Sequence, residues 1–199
     1  MSVSKRLGLL LLITVIGALG AACGGGGGDA TMMTVPDGYP YPVQTPTLIN
    51  DRSHLAQGVV YDKYTSDPPT SGPHLFVPAN WGISDLALPK EQPVHNMEHG
   101  GVVIWYNCNA SVPASPPAAA SGPLSTDDCA TLRNSLSAIV APAAQAGHHI
   151  VMTPYASMDS RIGLTAWGYL DKFNTFDQAR VTMFINTFEC KFDPEHFCG

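Results

Sequence analysis

Gly100-Gly101-Val102-Val103-Ile104-Trp105-Tyr106 decides how this chain folds. Five successive apolar residues show no alternation. Both faces of the segment must therefore be covered, and the run predicts a central strand of a buried sheet. The glycine pair lets the backbone bend sharply into it. Directly upstream, Val94-His95-Asn96-Met97-Glu98-His99 concentrates two imidazoles, a carboxylate and a thioether at the mouth of that strand.

Downstream of the strand, a helix is expected from Ser125 or Thr126, either of which can cap it, with Asp127 and Asp128 at the positive end of its dipole. Cys129, Leu132, Leu136, Ile139 and Val140 fall on one face, and Pro142 is expected to stop it. Ile150 to Pro154 reads as a second strand and Ile162 to Leu170 as a third. A last helix is expected from Thr175, with Thr175 and Gln178 forming a capping box. Its apolar stripe is Val181, Phe184, Ile185 and Phe188. Upstream, Gly58 to Tyr61 suits a short strand, and Tyr64 to Trp81 is a long ordered loop. The Ala/Pro/Ser stretch Ala110 to Pro123 is an exposed excursion. The fold class is α+β. A small mixed or antiparallel sheet carries helices packed on one face, after a long loop-rich N-terminal half.

Residues 1–22 read as a signal peptide rather than part of the fold. Lys5 and Arg6 precede an apolar segment, Leu7 to Leu19, too short to span a membrane comfortably. Gly20-Ala21-Ala22-Cys23 then resembles a bacterial lipoprotein cleavage site, with Cys23 the lipidated first residue. Gly20 stands where a large aliphatic residue is usual, and an ordinary cleaved signal is the competing reading. Residues 23–50 form a Gly/Pro-rich tether and 51–199 a single domain. The protein is thus expected in the cell envelope, held to a membrane by its lipid. Where the cell has two membranes, the outer one is the expected address. The formal net charge is −6 and no basic run exists, which argues against nucleic-acid binding.

Four cysteines remain beside Cys23, an even number that implies disulfides in an exported chain. Cys108–Cys129 and Cys190–Cys198 are the preferred pairs. The first staples the Pro/Ala/Ser segment; the second pins the tail to the last helix. No Cys-x-x-Cys spacing favours a thiolate metal site instead.

Three readings compete for the histidines. His95 and His99, four apart, share a face whether the segment is helical or extended. With His74 folded over them, they could ligate copper or zinc, and Met97 or Met152 could add a soft ligand. The same histidines could serve a hydrolase-like enzyme with Glu98 as general base. Alternatively, they only brace loops in a structural or partner-binding module. Ser71 near His74 lacks a nucleophile-elbow motif and reads as a turn residue. His148 and His149 precede a strand, so at most one can face inward.

Tyr64-x-x-x-Pro68-Pro69-Thr70-Ser71-Gly72-Pro73-His74, Val94 to Val103, and Leu164-Thr165-Ala166-Trp167-Gly168 together resemble the bacterial domain of unknown function 3105 family. The resemblance runs from Gly58 to Phe188. It implies an exported or membrane-anchored protein and no established activity.

Overall fold

The computed structural model describes residues 34–110 and 123–198; the signal segment, Cys23, the polyglycine run and most of the Ala/Pro/Ser excursion lie outside them. Five strands make one mixed sheet in the order β3-β5-β4-β6-β7. Here β3 is Gly82–Ile83, β4 Val102–Tyr106, β5 Ile150–Pro154, β6 Ile162–Ala166 and β7 Tyr169–Phe173. As expected, β4 is central. It pairs parallel with β5 (Ile104 opposite Met152) and antiparallel with β6 (Ile104 opposite Leu164). A separate two-stranded parallel ribbon joins β1 (His54–Leu55) to β2 (His74–Leu75).

Side chains alternate along β4 into two cores. Val102, Ile104 and Tyr106 pack with helices α2 (Thr126–Gln145) and α3 (Gln178–Phe188), through Leu132, Leu136, Val140 and the Val181, Phe184, Ile185, Phe188 stripe. Val103 and Trp105 face the other way, against Val94 and Met97 of helix α1 (Glu91–Glu98), with Met158 and Trp167. The two helices expected from periodicity therefore share one face, and a third, shorter helix covers the other. That double cover is why β4 carries no polar residue.

Several boundaries differ from expectation. Gly58 to Tyr61 is not a strand; the pairing falls earlier, at His54–Leu55. Pro142 does not end α2, which runs to Gln145. A proline in the last turn removes one hydrogen bond, and the helix stops at Gly147, whose φ of +93° is left-handed. Ile162 to Leu170 is not one strand but the start of a hairpin, turned at Gly168 (φ +80°). The cap of α3 is Asp177, which accepts from the Arg180 N–H, not Thr175. Ser125 does cap α2, accepting from the Asp128 N–H.

Part of the expected tether is folded. Tyr39 is buried against Phe184 and Phe188, and its hydroxyl meets the Asp171 carboxylate that Arg180 also grips. Gln44 pairs with Leu170 at the sheet edge. Both expected disulfides form, Cys108–Cys129 and Cys190–Cys198. Paired cysteines fit an oxidising, extracytoplasmic compartment. Among the described residues no helix is long and apolar enough to cross a membrane.

Candidate metal centre

The His95 segment is helical. Pro93 sits in the first turn of α1, where its missing N–H costs nothing. Gly100 (φ +77°) and Gly101 close the other end, donating to the Met97 and Asn96 carbonyls. At Gly101 an added Cβ would lie 2.6 Å from both the Asn96 carbonyl and the Trp81 ring, so the chain turns into β4 only with glycine there. Asn96 is fully buried. Its amide donates to the Ala79 carbonyl at 2.9 Å and its oxygen accepts from the Ala79 N–H at 2.8 Å. These two bonds fasten the loop after β2 onto α1.

That fastening brings β1, β2 and α1 to one point. His54 and His74 are register partners across the ribbon. His95 stacks on His54 with centroids 4.9 Å apart, and lies 4.7 Å from the His74 ring. One ligand atom from each of His54, His74, His95 and Glu98 lies within 4.8 Å of the others. His74, His95 and Glu98 are buried, whereas His54 is exposed.

The tautomers follow from what the rings touch. His74 Nδ1 lies 2.9 Å from the Gly72 carbonyl and His95 Nδ1 2.7 Å from the Leu75 carbonyl. A carbonyl only accepts, so each Nδ1 carries the proton and donates it. Each neutral ring therefore keeps an unprotonated Nε2: that of His74 faces Glu98, and that of His95 lies 3.1 Å from His99 Nε2. His74 Nε2 stands 2.9 Å from Glu98 Oε2, and neither buried atom has a hydrogen-bonding partner among the described residues. Two acceptors face each other, a position that calls for a proton or a cation. Burial lowers the pKa of His74 and of His95, against the raising effect of their carbonyl partners. Burial raises that of Glu98, opposed by Arg52, whose guanidinium lies 3.2 Å from Oε1. Desolvation thus disfavours every charged form in the absence of a counter-ion.

Of the expected histidines, His74 and His95 come together in this set. His99 adjoins it, its Nε2 3.1 Å from that of His95, but it is drawn toward the C-terminal tail. Glu195 lies 3.0 Å from the same nitrogen, and Phe197 stacks on the ring at 3.8 Å. His54 takes the expected place of His99, a residue that sequence context did not single out. The methionines do not join. Met97 points from the opposite side of α1 into the core with Val103 and Trp105. Met152 lies across the sheet in the other core. Ser71 is buried, and its hydroxyl accepts from the distant Ile49 N–H. Of the His148-His149 pair, His148 meets Glu189 at the surface, while His149 Nδ1 approaches the Cys190–Cys198 bridge.

The chain matches the family model described as "Protein of unknown function (DUF3105)" over residues 57–115 and 124–197, and it belongs to that family. The matched span holds His74, His95, His99 and Glu98 but begins after His54. No curated protein and no solved structure matches the chain.

Proposed function

We propose that this family member is a metal-binding envelope lipoprotein. It takes zinc or divalent copper through His54, His74, His95 and Glu98, with His99 as an adjoining group. One observation carries the reading: the Gly72 carbonyl fixes the His74 tautomer so that its bare Nε2 lone pair meets a buried carboxylate oxygen of Glu98, while the Leu75 carbonyl fixes that of His95 beside it. Carbonyl acceptors on the outer ring nitrogen are the usual device for orienting metal-ligating imidazoles. Three nitrogens and one oxygen form a borderline donor set suited to Zn(II) or Cu(II). With both methionines in hydrophobic cores, the expected soft thioether ligand is missing from this site.

Arg52 takes Oε1 of Glu98, and Oε2 is left facing the His74 lone pair. That supports a ligand rather than a free general base, and so favours binding over hydrolysis. Titration of the purified chain with Zn(II) and Cu(II) tests the proposal. Alanine at His54, His74 or His95 should weaken binding more than alanine at His99. If neither ion binds, or the His54/His74/His95 triple variant binds as well as wild type, the histidines only brace loops. The lipid anchor at Cys23 is part of the same proposal. Labelled fatty acid should enter the wild type and not Cys23→Ser; equal labelling of both would reject the anchor.

A further inference from the structure

A second group of donors lies on the far side of His99. His149 Nδ1 stands 3.4 Å from Cys198 Sγ and 3.9 Å from Cys190 Sγ. These three form the other cluster of potential ligands among the described residues. We propose that reduction of the Cys190–Cys198 disulfide converts this corner into a dithiolate–imidazole site for a thiophilic cation such as Zn(II) or Cu(I). It would be a second metal site, independent of the one centred on Glu98.

The geometry is close to what such an ion needs. Zinc bonds of ~2.3 Å to sulfur and ~2.0–2.1 Å to nitrogen set a tetrahedral N···S edge of about 3.5 Å. The observed 3.4 and 3.9 Å already straddle that edge. Only the sulfurs must part once reduced, to about 3.8 Å, the S···S edge the same bond lengths require. Rotation of two side chains suffices.

The frame around them does not depend on the S–S bond alone. The Cys190 N–H donates to the Gly100 carbonyl at 2.8 Å, next to the end of α1. Asp193 accepts from the N–H groups of Phe197 and Cys198 at 2.9 and 2.8 Å. Phe192 stacks on Trp167 and Phe197 on His99. His149 is held by its N–H to Glu189 and by its carbonyl, which accepts from Val102. The donors would therefore stay gathered once the bridge opens. Cys190 is exposed and His149 and Cys198 are half-buried, so reductant and ion can both arrive. Cys190 and His196 also sit at φ +59° and +58°, left-handed conformations that cost an L residue energy.

The chemistry balances with a dithiol or phosphine as the named reductant. A dithiol transfers two electrons and two protons to the bridge, giving two thiols while it becomes a cyclic disulfide. A phosphine with water does the same and becomes the phosphine oxide. Binding then displaces both thiol protons to solvent. Three protein ligands leave one position for water or an incoming donor.

The test uses the full chain carrying Cys108→Ala and Cys129→Ala, so that the C-terminal bridge is the sole disulfide. Cadmium(II) is added before and after reduction with a phosphine. A sulfur-to-cadmium charge-transfer band should appear, at one equivalent, in the reduced form alone. His149→Ala should weaken binding tenfold or more, while the His54/His74/His95 triple variant should leave it unchanged. No band on reduction, a band already present in the oxidised chain, or a band indifferent to His149→Ala would overturn the site. Because the triple variant lacks the first centre, failure of either site is distinguishable from failure of the other.

Discussion

Replacing Glu98 with glutamine should move stability in opposite directions with and without metal. In the metal-free chain, Glu98 Oε2 opposes the His74 Nε2 lone pair at 2.9 Å. A glutamine amide at that position can donate to the ring, supplying a buried hydrogen bond of ~0.5–1.5 kcal/mol. It also removes a carboxylate whose pKa burial has raised. A folded-state pKa above the unfolded one means that wild-type stability falls as pH climbs past the ordinary carboxylate value, so the gain is fullest at neutral pH. Against it stands the contact with Arg52, whose side chain is 43% exposed; such a pair is worth ~0.2–1 kcal/mol. The net is a gain of ~1 kcal/mol, or ~2–4 °C in melting temperature for a domain of this size.

Metal reverses the sign. At a hundred times the wild-type dissociation constant, a bound ion adds ~2.7 kcal/mol. A variant that binds a hundredfold more weakly would retain only ~0.4 kcal/mol at that concentration. Glu98→Gln should therefore melt above wild type in chelator and below it in excess zinc, read by circular dichroism. Two curves in the same order under both conditions would refute the argument that this carboxylate waits on a cation.

Three further outcomes are expected. Acidification should destabilise the chelated protein, because His74 and His95 have folded pKa values below the ordinary 6.5. The unfolded chain then takes up more protons, so stability present above that value is lost as pH falls through and below it. A melting temperature flat from pH 7 to 5 would contradict this. Gly101→Ala should cost ~1–3 kcal/mol in chemical unfolding, since its Cβ meets Asn96 and Trp81 at 2.6 Å. An unchanged midpoint would show that the α1–β4 corner yields freely. Removing the Cys108–Cys129 bridge, which spans 21 residues, should cost ~3 kcal/mol in the same assay through the freed unfolded chain. A loss under 1 kcal/mol would count against that reasoning.

The parts of the fold that were legible are those with strong periodicity. β4, β5, α2 and α3 each bury a face their spacing declares, and the two disulfides followed from which segments they could staple. The hairpin of β6 and β7 was hidden because Trp167 continues an apolar run. Only the left-handed need of Gly168 marks the turn. Helix α1 is signalled in the sequence only by Pro93 in its first turn and Gly100 just past its end. At the site, His74, His95 and Glu98 stood out as a local concentration of donors. His54 did not, because a two-residue parallel pairing leaves no pattern along the chain. The methionines misled because donor chemistry was visible in the sequence and side-chain direction was not.

The ribbon that brings His54 to His74 pairs only two residues from each strand, flanked by bonds from the His74 N–H to the Ser53 carbonyl and from the Phe76 N–H to the Leu55 carbonyl. It stands apart from the five-stranded sheet. A bound ion would bridge that slight ribbon to a helix packed into the core. Local opening of so short a pairing takes far less free energy than global unfolding. The residence time of the ion would then be set by how often the ribbon breathes, not by the lifetime of the fold.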